Sequence, residues 1–290
     1  MLSNILKIFL YFLKILDIFF KFFKRKIFFQ NLNDHIAKEL YTETSIENKK
    51  IKFFVPSKLT LERVSTIFTK EPETINWIKD FKLNNNLKEI IFWDIGANIG
   101  VYSIYASIFH KRIKVFSFEA STSNLRCLSR NISINRLNNK IKICQIPLTN
   151  KKNVFLEMKE KNFTEGSAIS TFGEDFDFKG EKILDSKNNY SLFGTNINTL
   201  LEDKVLEIPN YIKIDVDGIE HLILEGASKF LSNKDLRGIS VELNENFSTQ
   251  YQESIHLLKN CGFLLTSNEE ILKKKNEKKI NTRNYHFKKI

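Results

Sequence analysis

The sequence predicts an α/β fold built on an open and mostly parallel sheet. Three apolar runs end in a polar residue, at Asp94, Glu119 and Asp215. Such runs are typical of buried parallel strands, whose carboxyl ends form the ligand crevice of an open α/β sheet. From residue 88 onward, strands and helices also alternate in the order of βαβ units. The predicted elements are strands 89–94, 113–118, 141–146, 210–215 and 238–243 and helices 99–110, 122–136 and 219–231.

The first predicted strand leads into a glycine-bracketed turn, Asp94-Ile-Gly-Ala-Asn-Ile-Gly100. A dinucleotide fingerprint needs a glycine where Asn98 stands, because the backbone there approaches a pyrophosphate. Asp94 would repel such a group, whereas it suits a cation or an amine. S-adenosylmethionine carries both, as a sulfonium and an ammonium. Glu119, at the end of the next strand, is placed to accept both hydroxyls of a ribose.

Composition indicates a globular protein with one large domain and appendages. The 290 residues can bury a sizeable core, and glycine and proline are scarce. The three cysteines, Cys127, Cys144 and Cys261, form no C-x-x-C pair. We therefore expect reduced, packed thiols in a cytosolic protein and no cysteine nucleophile.

The net charge of +11 belongs to the two ends of the chain. Residues 1–30 carry six basic residues against one acid, and residues 271–290 carry eight against one. The middle of the chain is close to neutral. An enzyme acting on nucleic acid would more often line its cleft with basic residues, so this distribution disfavours a nucleic-acid partner.

Residues 1–30 are mostly apolar, with a few charged residues among them. Lys7, Lys14 and Lys21 recur at every seventh position, so their side chains fall on nearly one line of a helix. The longest uncharged run in this helix, Ile8 to Leu13, is far shorter than the ~20 residues that cross a bilayer. No cleavage site of a secretory signal follows. We expect a basic amphipathic helix at the inner face of the cytoplasmic membrane, on an otherwise cytoplasmic protein. Packing on the protein's own core or on a dimer partner is the alternative, with weak membrane spanning third.

The rest of the chain divides into two parts. Residues 31–87 are predicted to be a mostly helical extension, with a boundary near residues 84–86, and residues 88–290 a single domain. An insertion at about residues 160–195 interrupts the βαβ rhythm after a short strand at 154–158. Insertions at this side of a sheet tend to shape a substrate site, although a loop without a role is the alternative. Residues 261–266 and 284–288 are predicted to be a closing pair of strands.

Over about residues 88–245 the sequence resembles the FkbM family of S-adenosylmethionine-dependent methyltransferases, which act on hydroxyl oxygens of sugars and natural products. The resemblance implies a Rossmann-like, seven-stranded sheet with helices on both faces and an antiparallel edge strand. It also implies a cofactor held by the turn after the first strand and by the end of the second. Position 217 is Asp where the family usually has Glu. The motifs that carry the resemblance are Asp94 to Gly100, Phe118-Glu119, Asn124-Leu125, Asn131 to Asn135, Ile212 to Glu220, Leu224 to Ala227 and Val241-Glu242. The expected cofactor-binding residues are Asp94, Gly96, Ala97, Asn98, Gly100, Glu119 and Ala120.

Methyl transfer to a hydroxyl needs alignment of donor and acceptor and removal of the acceptor's proton. Asp215 is the first candidate for this task, followed by Glu220, His221 and Glu242. Glu220 is equally explained as an acid in the first turn of a helix, and His221 as an exposed helical residue. Asp215 and Asp217, two residues apart, could share a face and hold Mg²⁺.

The sequence therefore predicts an S-adenosylmethionine-dependent O-methyltransferase of surface polysaccharide or glycolipid biosynthesis. Its acceptor is expected to be a hydroxyl of a sugar, a glycan or a related small molecule, and no nucleic acid is expected as a partner. The alternatives are an RNA methyltransferase and a non-catalytic, membrane-associated scaffold. An oxidoreductase is disfavoured by Asn98. Neither the identity of the acceptor nor the oligomeric state follows from the sequence.

Overall fold

A computed structural model describes residues 2–22, 28–83, 88–183, 186, 188–266 and 282–289 of the protein. The helices are α1 Leu2–Phe22, α2 Phe28–Glu39, α3 Lys58–Ser65, α4 Pro72–Lys79, α5 Val101–Phe109, α6 Thr122–Ile134, α7 Ile197–Glu202, α8 Glu220–Glu225 and α9 Ser248–Asn260. The strands are β1 Tyr41–Ile46, β2 Lys49–Phe54, β3 Ile90–Ile95, β4 Ile113–Phe118, β5 Ile141–Cys144, β6 Val154–Glu160, β7 Ser170–Phe172, β8 Asn188–Gly194, β9 Tyr211–Ile214, β10 Gly238–Asn244, β11 Phe263–Leu265 and β12 Thr282–Lys289.

The central sheet has seven strands in the order β11-β12-β10-β9-β3-β4-β5. Strands β3, β4, β5, β9 and β10 are parallel, and β12 runs antiparallel to both of its neighbours. The predicted seven-stranded, Rossmann-like class is therefore confirmed, and so is the closing pair of strands. One detail of the expectation is wrong: the antiparallel strand is not at the edge, because β11 pairs with β12 and covers it.

Both faces of the sheet are buried, as a parallel sheet requires. The adjacent side chains of Phe92 and Trp93 point to opposite faces, and both are fully buried. One face packs against α7, α8 and α9, and the other packs against α3, α4, α5 and α6. Cys127 and Cys144 are buried in these cores, and all three cysteines are free. Burial raises the pKa of Cys127 to about 12, so it is no nucleophile at neutral pH.

The N-terminal extension is not mostly helical, because it contains a β-hairpin formed by β1 and β2. Glu47 and Asn48 both adopt left-handed backbone conformations, with φ of 48° and 60°, as in a two-residue hairpin turn. Ile51 and Phe53 point inward and are buried, while the alternating lysines are exposed. The expected boundary at residues 84–86 lies outside the described residues.

The first helix keeps its apolar face exposed. Helix α1 contacts α2, and of its described side chains only Leu13 and Asp17 are buried. The part of the predicted helix at residues 23–27 lies outside the described residues. No helix in the described part of the chain is long and apolar enough to cross a membrane. The exposed large apolar side chains of α1 are Ile5, Leu6, Ile8, Phe9, Leu10, Tyr11, Phe12, Ile15, Ile18, Phe19 and Phe22.

The insertion after β5 forms a second, three-stranded antiparallel sheet in the order β7-β6-β8. The short strand predicted at 154–158 is present as β6 and extends to residue 160. Met158 and Phe172 join the hydrophobic core of the central sheet. The insertion is therefore anchored to the body of the protein.

Gly96 is the position where we expect a substitution to damage the fold most. Its φ is +83°, and a Cβ there would lie 1.8 Å from the backbone oxygen of Asp215. Gly262 is a matched control, because its φ is +82° and a Cβ would meet nothing within 4 Å. We predict that Gly96→Ala lowers the free energy of unfolding by about 2–4 kcal/mol, against about 1 kcal/mol for Gly262→Ala. Urea denaturation measures the free energy of unfolding of both variants. Equal losses in the two variants would contradict the steric role of Gly96.

Candidate functional site

The carboxyl ends of three neighbouring strands are tied together by backbone hydrogen bonds. Asp215 N donates to Ile95 O at 3.0 Å, which joins the end of β9 to the end of β3. Gly96 N and Ala97 N both donate to Phe118 O, at 3.0 and 2.9 Å, which joins the turn after β3 to the end of β4. Only a residue without a side chain fits between the turn and Asp215. The glycine turn therefore lies directly over the strand ends, where the sequence predicts a ligand crevice.

A cavity opens at these strand ends, between the central sheet and the insertion, and it measures about 720 Å³ with the open solvent at its mouth included. This larger cavity lies at the position where open α/β sheets bind their ligands. Its floor is polar at Glu119 and Asp215 and apolar toward β5 and β6. The larger cavity is lined by Gly96, Asn98, Glu119, Ala120, Asn124, Ile146, Pro147, Leu148, Met158, Ser167, Ala168, Phe172, Asp215, Asp217 and Ile219, among others.

Glu119 is held in a fixed orientation in the wall of the larger cavity. Its two carboxylate oxygens accept hydrogen bonds from Asn98 N at 2.7 Å and from Ser121 N at 2.8 Å. The side chain is 8% exposed, and this burial raises its pKa to about 7. Glu119 is therefore a preorganised hydrogen-bond acceptor whose charge changes near neutral pH.

The insertion closes the larger cavity from above. Ser167 O accepts hydrogen bonds from Asn98 Nδ2 at 2.9 Å and Asn124 Nδ2 at 3.1 Å, and Gly166 N donates to Asn124 Oδ1 at 2.8 Å. Arg63 of α3 donates from Nε to Gly166 O at 2.7 Å. Residues of the glycine turn, α6 and the N-terminal extension thus hold the insertion over the strand ends. Residues 167, 168 and 170–172 of the insertion therefore line the larger cavity.

Two of the predicted acidic residues hold the turn between β9 and α8. Asp217 has a left-handed φ of 63°, and its Oδ2 accepts from Ile169 N at 2.8 Å. Glu220 is buried, and its carboxylate accepts from Val216 N and Gly218 N, both at 3.0 Å. Burial raises the pKa of Asp217 to about 6 and that of Glu220 to about 7. Both oxygens of Glu220 are thus held by the backbone of the turn, whereas Asp217 uses Oδ2 to hold the backbone of the insertion.

A smaller cavity lies beside the larger one, on the side of the N-terminal extension, and it measures about 460 Å³ with open solvent included. The two cavities share four lining residues, which are Arg63, Gly96, Asn98 and Asp215. Asp215 is thus the acidic side chain on the wall that both cavities share. The smaller cavity is also lined by Thr66, Ile67, Lys70, Glu71, Ala97, Ile99, Val101, Tyr102 and Lys213.

Lys213 is a site residue that sequence analysis did not single out. It is 1% exposed, and its Nζ lies 2.6 Å from Asp215 Oδ2. Burial alone would lower its pKa, but the carboxylates of Asp215, Asp94 and Glu71 raise it above the usual value. In turn, Lys213 outweighs the effect of burial on Asp215 and lowers the pKa of that carboxyl. The sequence does contain a signal for it, since a single lysine stands between two isoleucines in a predicted buried strand. A charged side chain in such a position needs a partner of opposite charge.

Asp94 lies beneath the glycine turn and lines neither cavity. It is 1% exposed, its Oδ2 accepts a hydrogen bond from Ser103 Oγ at 2.5 Å, and its Oδ1 has no partner among the described residues. Burial raises its pKa. Asp94 thus joins the end of β3 to α5.

The two remaining candidates for catalysis differ in position. His221 is buried against Phe176 and Phe247, lines neither cavity, and has its pKa lowered by burial. It is therefore not the exposed helical residue of the alternative interpretation. One carboxylate oxygen of Glu242 lies within 4.8 Å of oxygens of Asp215 and Glu71. Burial, followed by the charges of Asp215 and Glu71, raises the pKa of Glu242 well above its usual value.

The structure thus brings together only some of the predicted site residues. Gly96, Asn98, Glu119 and Ala120 line the larger cavity, Ala97 lines the smaller one, and Gly100 begins α5 behind them. Asp215 lines both cavities and Glu242 lies beside it. Asp217, which was expected to share an ion with Asp215, is not part of the carboxylate cluster; Glu71 and Glu242 are. Glu71 was missed because it lies in the N-terminal extension, outside every motif.

Residues 94–265 match the family described as "Methyltransferase FkbM domain". The match covers more than half of the chain and includes the glycine turn and the ends of β4, β9 and β10. These features define the class of the protein as a methyltransferase. The chain belongs to the FkbM methyltransferase family, as its motifs predict.

Solved structures with a similar sheet are distant. One is precorrin-6y C5,15-methyltransferase from Geobacter metallireducens, with 13% identity over 75% of this chain and 85% of that one, at a TM-score of 0.42. Another is TrmK of M. capricolum in complex with S-adenosyl-homocysteine, with 12% identity over 74% of this chain and 67% of that one, at a TM-score of 0.40. A third is an rRNA methylase from Streptococcus thermophilus, with 12% identity over 76% of this chain and 96% of that one, at a TM-score of 0.42. No curated protein matches the chain significantly. At this distance the structural neighbours do not bear on the substrate.

Proposed function

We propose that the protein is an S-adenosylmethionine-dependent O-methyltransferase that acts on a hydroxyl of a sugar, a glycan or a related small molecule. The observation that carries this proposal is the position of Asp215 on the wall between two cavities. One cavity has the residues that a nucleoside-bearing donor needs. The other offers a polar space for an acceptor.

The larger cavity fits the donor. Glu119 presents a fixed carboxylate for the ribose hydroxyls, and Ile146, Leu148 and Met158 offer an apolar surface for the adenine. Gly96 lies on the shared wall, where its lack of a side chain lets it pack against the backbone oxygen of Asp215. S-adenosylmethionine, when bound, supplies a methyl carbon already activated by its sulfonium. The protein then has to align the acceptor and remove its proton.

Asp215 is the residue that suits this second task. Its side chain is 26% exposed, so one side of the carboxylate is accessible while Lys213 holds Oδ2. An acceptor hydroxyl in the smaller cavity can donate a hydrogen bond to this carboxylate, which orients the oxygen and receives the proton. Lys213 keeps the carboxylate ionised and fixes its position. Asp215 is a weak base for the same reason, so it acts mainly by orientation.

The lining of the smaller cavity favours a hydroxyl-rich acceptor over a nucleic-acid base. A flipped base needs aromatic or apolar faces on which to stack. Among the residues described at this cavity, Tyr102 has the only aromatic ring, and Lys213 Nζ lies 5.0 Å from its centroid. The charged groups of Arg63, Lys70 and Glu71 can instead exchange hydrogen bonds with several hydroxyls. An RNA acceptor remains the second candidate because the ends of the chain are basic.

The acceptor class can be tested with the tritiated methyl group of S-adenosylmethionine. We expect transfer to a sugar or glycan fraction and none to total RNA. Asp215→Asn should lower kcat by about 10²–10⁴-fold, because it removes the carboxylate that orients the hydroxyl and receives its proton. Its affinity for S-adenosylhomocysteine should change by less than about threefold. Transfer to RNA alone, or full activity of Asp215→Asn, would contradict the proposal.

The affinity for S-adenosylhomocysteine should depend on pH through Glu119. Its pKa of about 7 means that the carboxylate is mostly ionised at pH 8 and mostly protonated at pH 6. Because the ionised form is the better acceptor of two ribose hydroxyls, we predict that affinity falls by up to about tenfold from pH 8 to pH 6. Isothermal titration calorimetry of the wild type and Glu119→Gln measures this. Glu119→Gln should bind weakly at both pH values, and an unchanged affinity would refute the role of Glu119.

We further propose that α1 places the protein on an anionic membrane surface, on the side where lipid-linked or surface glycans are made. The helix exposes a wide apolar face, and Lys7, Lys14 and Lys21 are also exposed. An apolar face that enters the interface, together with lysines that contact anionic headgroups, is typical of interfacial helices. The exposed apolar face argues against the alternative in which α1 packs on the protein's own core.

Flotation with vesicles tests this membrane contact. The wild type should float with vesicles that contain phosphatidylserine, and the triple variant Lys7→Glu/Lys14→Glu/Lys21→Glu should bind at least about tenfold more weakly. The matched control is Lys111→Glu/Lys142→Glu/Lys161→Glu, which makes the same charge change at exposed positions of the body and should float normally. Flotation that survives deletion of residues 1–30 would overturn the proposal, and a stable dimer that needs α1 would favour the dimer alternative.

A further inference from the structure

Three carboxylates from separate parts of the chain converge beside the smaller cavity. Glu71 precedes α4, Asp215 follows β9, and Glu242 lies in β10. One oxygen of each lies within 4.8 Å of the others. Like charges repel at such a distance in a partly buried site, so the cluster is costly without a positive charge among its oxygens.

Asn284 lies against this cluster and has one polar atom without a partner. It is 3% exposed and lies directly opposite Glu242 in the register of β10 and β12. Its Nδ2 donates to Glu71 Oε2 at 3.0 Å, which fixes the amide against the carboxylates. Its Oδ1 is buried and has no hydrogen-bond partner among the described residues. A buried carbonyl oxygen without a donor is unfavourable unless a ligand satisfies it.

The cationic groups of the protein do not balance the whole cluster. Lys213 binds Asp215, and Lys70 lies 3.4 Å from Glu71. Arg63 faces Asp215 while its Nε is bonded to the insertion. In the described part of the chain, no hydrogen bond or ion pair holds the carboxylate of Glu242. The cluster therefore lacks a positive charge at the Glu242 side.

We propose that Glu71, Asp215, Glu242 and Asn284 form a binding site for a hard divalent cation such as Mg²⁺ or Mn²⁺. Three carboxylate oxygens and one amide oxygen are the donor set that such ions prefer, and water completes their coordination. The site differs from the Asp215–Asp217 pair that the sequence predicts, because Asp217 lies outside the carboxylate cluster and its Oδ2 accepts hydrogen bonds from Ile169 N and Ser170 N of the insertion. In the proposed site, Glu242 and its cross-strand neighbour Asn284 bind the ion together with Asp215, and Asp217 does not.

The position of this site gives the ion a use in the reaction. Asp215 is a weak base, so an acceptor hydroxyl needs help to lose its proton. A divalent cation beside the smaller cavity would lower the pKa of a hydroxyl bound to it. This role rests on the proposed function, whereas the binding of the ion does not.

Electron paramagnetic resonance of Mn²⁺ tests the site in the full-length protein. We expect one tightly bound Mn²⁺ per chain, displaced by excess Mg²⁺. Glu242→Gln should weaken binding by at least about tenfold, and Asn284→Leu should weaken it less. Glu253→Gln removes an exposed acid from α9 and is the matched control, with unchanged binding. Thermal unfolding adds a second readout, since Mn²⁺ should raise the Tm of the wild type and not that of Glu242→Gln.

Absence of stoichiometric Mn²⁺ binding, or equal binding by the wild type and Glu242→Gln, would overturn the site. Binding lost in Asp217→Asn but kept in Glu242→Gln would place the ion at the pair that the sequence predicts. Titration with S-adenosylhomocysteine separates this result from the proposed function. A protein that binds S-adenosylhomocysteine but no Mn²⁺ contradicts the ion alone, and one that binds Mn²⁺ but no S-adenosylhomocysteine contradicts the proposed function alone.

Discussion

The close approach of Gly96 to the backbone oxygen of Asp215 is the constraint on which the rest of the site depends. It leaves no room for a Cβ, and it brings the turn after β3 over the end of β9. From this arrangement follow the cavity at the strand ends, the position of Glu119 beside Asn98, and the exposure of Asp215 to both cavities. A parallel sheet offers such a point because the carboxyl ends of its strands share one edge.

Buried charge is the second organising feature of the site. Lys213 lies among carboxylates on one face of the sheet, and their attraction outweighs the burial that would otherwise lower its pKa. The pair of Lys213 and Asp215 keeps one carboxylate ionised at the shared wall, whereas Glu242 has no such partner and its pKa is raised. Asp215 and Glu242 thus differ in charge state because of their contacts. Asp215 is the carboxylate that orients the acceptor, whereas Glu242 belongs to a site that favours a cation.

The sequence predicts the fold well where local signals and burial agree. The strand at 113–118 has the predicted bounds, because a largely apolar run lies between the charged residues Arg112 and Glu119. The hairpin at residues 41–54 was missed, since its turn residues, Glu47 and Asn48, are a weaker signal than Asn-Gly. At the site, Gly96, Asn98 and Glu119 could be found from motif spacing. Glu71 and Asn284 could not, because only the tertiary fold brings an N-terminal helix and the last strand to the same point.

A crystal structure of the protein with S-adenosylhomocysteine tests whether the cavity at the strand ends holds the methyl donor. We expect both ribose hydroxyls within about 3 Å of the Glu119 carboxylate and the adenine against Ile146 and Met158. The sulfur should then face the wall formed by Gly96 and Asp215. A ligand bound elsewhere, or a larger cavity filled by side chains of the insertion, would contradict the account.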